Sequence, residues 1–234
     1  MSSHHAPEWR DRPNTVEIPH AEYMLRHARR MDRWGSALTR WDFPDSLVLP
    51  TDQPILFAAN HRSFLDIAAA LAIFGRFGLS CRCLVRADIF EKPVVGKWLH
   101  QLGCIPTDRA TKEQAEQTAI ETLLAGQTVA MMPEGRLVPP HERPDGVSTP
   151  RLGVARIAAA TGAGVVPVAI HDSDRVWPRG SLPKPPLRGR HTVTIRVGTS
   201  PVPFDSGDPQ TDADRLMATI ADMLREIDAE RRED

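Results

Sequence analysis

Short apolar runs alternating with helix-length segments constrain this chain more than any other feature. The runs at 55–59, 81–87, 104–106, 128–132, 165–170 and 192–197 have the length and apolar content of strands. Helical patterns at 64–74, 94–102, 112–125 and 152–161 stand between them. A last helix at 212–230 carries Leu216, Ile220, Leu224 and Ile227 on one side. A helical crossover returns the chain in its original direction, so the pattern predicts an α/β domain: a mostly parallel central sheet flanked by helices. Thr111 with Gln114 reads as a capping box, Gly126 as the stop of that helix, and Thr211 with Asp214 as a cap on the last one. Proline-rich loops at 137–150 and 177–191 interrupt the order. The second is locally basic, with Lys184, Arg188, Arg190 and His191.

A different pattern begins at His20. Met24, His27, Met31, Trp34, Leu38 and Trp41 recur at alternating steps of three and four, which draws one stripe along an amphipathic helix. Arg26, Arg29, Arg30, Arg33 and Arg40 flank it. Such a helix has two roles open to it: lying in a membrane interface, or packing on the main domain with its arginines in water. The expected organisation is therefore a polar, proline-bearing tail with this helix at 1–44, and the main domain at 45–234.

Composition excludes several classes. At 234 residues the chain can bury one sizeable core. A net charge of -1 argues against bulk nucleic-acid binding. No apolar stretch approaches the ~18 residues of a spanning helix, and the N-terminus lacks the apolar core of a signal peptide. Cys81, Cys83 and Cys104 fit a reducing compartment. Cys81-x-Cys83 has no second ligand pair at a familiar spacing, so no metal is expected.

The run Asn60-His61-Arg62-Ser63-Phe64-Leu65-Asp66 sits where a strand gives way to a helix. Ligands gather at the carboxyl ends of strands in open α/β sheets. A neutral imidazole there can take a proton from an alcohol if a partner fixes its tautomer. Asp66 can be that partner, or it can complete a capping box with Ser63. Two more strand ends carry matching chemistry. One delivers Arg109, the other Glu134, Gly135 and Arg136. A guanidinium suits phosphate, because its planar fork donates two hydrogen bonds at once. Glycine lets backbone approach a ligand.

These blocks resemble those of the glycerolipid acyltransferases, the 1-acylglycerol-3-phosphate acyltransferase family. NHRSFLD is similar to the His-x4-Asp signature, GCIPTDR to the second block, MMPEGR to the Pro-Glu-Gly block, and VVPVAI, with Pro167, to the last. The stretch LVRADIFEKPVVGKWLHQLG follows the family's pattern between the first two, and all stand in order from Ile55 to about Ile170. The resemblance implies an O-acyltransferase in which His61 is the general base and Asp66 holds it. The acyl group passes from an acyl thioester, acyl-CoA or acyl-carrier protein, to the hydroxyl of a lysophospholipid such as 1-acylglycerol-3-phosphate, giving phosphatidic acid. It further implies that Arg109, Glu134, Gly135 and Arg136 shape the acceptor's phosphate site, with no cofactor beyond the thioester. One departure stands out: the family usually has a small residue between the glycine and arginine of the third block, and here Arg136 follows Gly135 directly.

The expected setting is the inner, cytoplasmic face of a membrane, reached through the helix that begins at His20. Rival readings are transfer to another glycolipid or a small alcohol, and a non-catalytic lipid-binding protein of the same fold. A small-alcohol acceptor would leave the Met24 to Trp41 stripe buried in protein.

Overall fold

The computed structural model describes residues 18–184 and 189–233. The expected tail as far as residue 17, and Arg188 of the basic loop, lie outside the described residues. Among the described residues seven strands form one sheet: β1 (Thr39–Asp42), β2 (Ile55–Ala59), β3 (Cys81–Arg86), β4 (Ile105–Thr107), β5 (Thr128–Met131), β6 (Gly164–His171) and β7 (His191–Val197). Their spatial order is β1-β7-β6-β2-β5-β3-β4. Every neighbouring pair is parallel except β6 and β7. Thus the five strands from β6 to β4 run one way, and the β7–β1 edge runs against them.

The helices are α1 (Ile18–Leu38), α2 (Leu65–Phe77), α3 (Ala87–Phe90), α4 (Pro93–Gln101), α5 (Lys112–Leu124), α6 (Gly153–Thr161), α7 (Ser173–Val176) and α8 (Pro209–Glu233). Alternation along β2 divides the core into two layers. Ile55 and Phe57 join α2, Met24 of α1 and Leu99 of α4 on one face. Leu56 and Ala58 join Ala119 of α5, Ile157 of α6 and Leu216 of α8 on the other. Being covered on both sides, β2 reads as an unbroken apolar run rather than an alternating one. Each large aliphatic side chain so buried contributes about 1.5–3 kcal/mol.

Pro167 occupies a central strand without cost to the ladder. Residues 165 and 167 turn their polar groups toward the β7 side, and β7 ends at Val197. There Gly198 N–H donates to the Pro167 carbonyl at 2.8 Å, and no partner strand needs the proline's missing donor. A Cβ on Gly198 would meet Pro167 Cγ at 2.6 Å, so glycine is required at that close approach.

Several local expectations are corrected. The first helix ends at Leu38, and Thr39 to Trp41 are instead strand β1, paired with β7. The helix's stripe packs inward: Met24 is 1% exposed, Ala28 is fully buried, and Met31, Leu38 and Trp41 pack against the core; Trp34 alone of the stripe's large apolar residues is exposed. His27 is half-buried and accepts the Trp98 indole N–H at 3.0 Å. Burial and the neighbouring Arg30 and Arg26 hold its pKa below the ordinary value. Thr111 does not cap α5 through its side chain; its hydroxyl bonds Asp108 at 2.9 Å. The start of α8 is fixed by Asp208, which accepts the Thr211 N–H at 2.9 Å, rather than by Thr211 with Asp214. Gly126 does end α5, with φ +78.

Candidate active site

The strand β2 lifts Asn60 and His61 to the carboxyl edge of the sheet, where the chain turns into α2. Asn60 is fully buried and locks that edge. Its amide accepts the Ile170 N–H at 2.8 Å and donates to the Ile170 carbonyl at 3.0 Å, a two-point tie from β2 to β6. The next residue is thus held on a rigid base.

Asp66 contacts both partners that were open to it, the His61 ring and the start of α2. Its Oδ2 lies 2.9 Å from His61 Nδ1. The same oxygen accepts the Arg62 N–H at 2.7 Å and the Ser63 N–H at 2.8 Å. Ser63 Oγ in turn accepts the Leu65 N–H at 3.0 Å and donates to the Trp177 carbonyl at 2.6 Å. The cap therefore fixes the carboxylate, and the carboxylate fixes the ring. With Nδ1–H donated to Asp66, Nε2 keeps the lone pair and is the nitrogen free to accept a proton. The aspartate is fully buried, while the His61 side chain keeps 15% of its surface open.

That open surface faces a cavity of about 880 Å³. Its deeper walls are apolar and include Phe57, Ile73, Phe74, Val168 and Ile195. Arg86, Arg109, Arg136 and Arg151 also line it, which adds guanidinium groups to an otherwise greasy space. A volume of this size accommodates a chain-bearing ligand.

Most of the residues singled out from the sequence meet here. Arg109, just past β4, is exposed and lines the cavity. Among the described residues its neighbour Asp108 makes no ion pair with it; Asp108 Oδ1 accepts the Ala110 and Thr111 N–H groups at 2.8 Å each. Those bonds, led by Thr111, hold the Asp108 pKa below the usual carboxylate range. Gly135 also lines the cavity and has φ +67. A side chain there would collide with the Arg151 guanidinium stem, so glycine lets Arg151 cross close over the backbone. Arg136 lines the cavity but is ion-paired to Glu142 in the 3₁₀ turn Pro140–Glu142. The loop that follows the shortened third block thus supplies a partner for its arginine.

Glu134, like Asp66, lies off the cavity lining. It is 3% exposed. Its Oε1 accepts the His61 N–H at 3.3 Å, and its Oε2 accepts the Ser148 hydroxyl at 3.2 Å. Burial pushes its pKa up to about 7, against the opposing pull of those two bonds.

Sequence reasoning passed over Asn60 as an anchor, Arg86, and the buried Arg143. Arg143 donates to the Val138 carbonyl at 3.2 Å and pairs with Asp174, which fastens the loop after β5. An arginine 7% exposed looks in sequence like any surface cation. Cys83 lies on the cavity wall, with Cys81 and Cys104 buried nearby as free thiols. A bond to Cys83 and burial both push the Cys104 thiol up, away from the reactive thiolate.

Known proteins resemble this chain in sequence and in fold. The family model described as Acyltransferase matches residues 42–171. The chloroplastic 1-acyl-sn-glycerol-3-phosphate acyltransferase of Brassica napus is 31% identical over 135 residues, covering 56% of this chain and 37% of that protein. Its Arabidopsis thaliana counterpart is 28% identical over 134 residues, covering 56% and 35%. A bacterial 1-acyl-sn-glycerol-3-phosphate acyltransferase, from Neisseria gonorrhoeae, is 29% identical over 146 residues, covering 61% and 54%. The chain thus spans roughly a third to a half of the length of these relatives. The crystal structure of the 1-acyl-sn-glycerophosphate acyltransferase PlsC from Thermotoga maritima shares the fold, with a TM-score of 0.69 at 21% identity over 89% of this chain and 80% of that one.

Proposed function

The chain belongs to the acyltransferase family, and on that premise we propose that it moves a fatty acyl group from an acyl thioester to the hydroxyl of a lysophospholipid, 1-acylglycerol-3-phosphate first among them. The observation that carries the reading is the His61 Nδ1 to Asp66 Oδ2 contact of 2.9 Å at the wall of a large cavity that is apolar in its depth and lined with arginines.

The chemistry follows from that contact. His61 Nε2 accepts the proton of the acceptor hydroxyl as the oxygen attacks the thioester carbonyl carbon. A C–O bond forms and the C–S bond breaks. The imidazolium, steadied by the Asp66 charge, returns its proton to the departing sulfur as a thiol. Such general-base assistance is worth ~10²–10⁴-fold in rate. Arg109 and Arg151 line the cavity, and in this reading their guanidinium groups receive the acceptor's phosphate. Arg136 reaches it only by exchanging Glu142 for phosphate, and Gly135 keeps the backbone low enough for Arg151 to lie across it.

A lipid acceptor puts the protein at a membrane, on its cytoplasmic face, as a peripheral partner. Among the described residues no helix is long and apolar enough to cross one. The apolar stripe of α1 is spent on the core, so contact falls to exposed Trp34, edge-on to Trp177 with ring centres 6.0 Å apart, and Phe64, tilted against the same ring at 5.8 Å. Phe64 also lines the cavity. The burial of the stripe equally favours a second reading, in which the same site acylates a small soluble alcohol.

Acceptors presented in parallel, phosphorylated and not, with thiol release as readout, test the assignment. Lysophosphatidate should be used best, and Arg109→Ala should raise its KM while sparing an uncharged acceptor. Equal use of glycerol or of an uncharged monoacylglycerol by the wild type sinks the phosphate assignment. Rates unaffected by vesicles support the soluble-alcohol reading.

A further inference from the structure

The segment after β5 grips both polar groups of the His61 peptide. Glu134 Oε1 accepts its N–H at 3.3 Å, and the Val138 N–H donates to its carbonyl at 3.4 Å. The second Glu134 oxygen accepts the Ser148 hydroxyl at 3.2 Å, which ties the far end of the same loop to the same carboxylate. We propose that Glu134, bridged to Ser148, is a positioning residue that fixes the main chain from which the His61 imidazole projects, and that it does not touch the acceptor's phosphate. The proposal rests on the transfer reaction described above.

Charge and placement argue in the same direction. An ionised carboxylate is an acceptor only and repels phosphate, whereas a phosphate site needs donors. Glu134 is 3% exposed and off the cavity wall. Asp66 controls the ring of His61 and the two amides after it, but it leaves the His61 amide to another partner. Glu134 supplies it. A ~1 Å misplacement of a catalytic group can cost about 10²-fold in rate, so the amide is worth holding.

The charged and titratable groups around Glu134 are His61 and Asp66 from the β2–α2 connection and Arg136 from its own segment. The grip survives either protonation state of Glu134. In the neutral acid one oxygen still accepts from His61, while the hydroxyl donates to Ser148 Oγ. Glutamine reproduces that neutral form, with its carbonyl toward His61 and its amide N–H toward Ser148.

The test uses the full chain with Glu134→Ala, Glu134→Gln and Ser148→Ala, read by kcat and KM for lysophosphatidate and by hydrogen exchange of the His61 amide without substrate. Glu134→Ala should lower kcat about 10²-fold, leave KM unchanged and speed exchange at His61. Glu134→Gln should restore slow exchange and most of kcat, and Ser148→Ala should fall between. A raised KM with unchanged kcat in Glu134→Ala would place the side chain on the substrate and overturn the proposal, as would unchanged exchange. Should the alanine variant fail to fold, slow exchange with lost kcat in Glu134→Gln, or fast exchange with normal kcat, overturns it instead. Exchange reads the amide directly, so it separates a failed positioning role from a failed acyltransferase reading.

Discussion

A single carboxylate oxygen of Asp66 serves the helix start and the imidazole together, receiving two main-chain N–H bonds and His61 Nδ1. Capping and orientation are therefore inseparable at this residue. Asp66→Asn should lower kcat by roughly 10³–10⁴-fold, as loss of an orienting carboxylate does, and also destabilise the fold by about 1–3 kcal/mol, because charge-assisted bonds are weakened. Kinetics paired with thermal melting checks both; a normal rate with a lowered Tm would leave Asp66 a cap and nothing more. Glu134 gives a second residue-scale prediction, from the sign of its shift. Its pKa rises from 4.5 to about 7 on folding, so the folded state holds the proton more tightly. The associated stabilisation is complete below pH 4.5 and is lost as pH climbs through 7. The wild-type Tm should fall between about pH 4.5 and 7, and Glu134→Gln should flatten that fall. Parallel curves for the two proteins would remove the buried carboxylate as the source.

At the scale of elements, α1 illustrates how an amphipathic stripe conceals its partner. The periodicity of Met24, Met31, Leu38 and Trp41 is real, but lipid and a second helix select the same apolar side chains. Here α2 and the sheet take them, as the burial of Met24 and Ala28 shows. Met24→Ala should cost about 2–5 kcal/mol of stability through the cavity it leaves, without weakening vesicle binding of the folded protein. Trp34→Ala should weaken vesicle binding and leave stability almost unchanged. Co-sedimentation with anionic vesicles beside a melting curve distinguishes these; the reverse pattern would return the stripe to the membrane. Removing residues before Asp42 would take away α1 and most of β1, so it would test folding more than binding.

Across the whole molecule, the strands and crossover helices were legible because each carries its own apolar period, and the sheet is mostly parallel as that alternation requires. Trp41 was misassigned because β1 is four residues long and continues the helical spacing into an edge strand. The meeting of His61, Asp66, Arg109, Gly135 and Arg136 was legible because each follows a strand that ends on one edge. What sequence could not reveal was depth. Nothing in Pro-Glu-Gly-Arg distinguishes a carboxylate lining a cavity from one lying behind its wall, since that depends on how the loop at 137–150 folds back through Ser148 and Arg143.

The most direct measurement is the acyl balance of one turnover mixture: lysophosphatidate, an acyl-CoA, and wild type or His61→Ala, with lipid products weighed by mass spectrometry and thiol counted in parallel. The wild type should convert lysophosphatidate to its diacyl form with one thiol released per chain transferred, and His61→Ala should do neither while melting normally. Thiol release with no acylated lipid, or transfer that persists without the imidazole, would contradict a histidine-driven attack by the lipid hydroxyl.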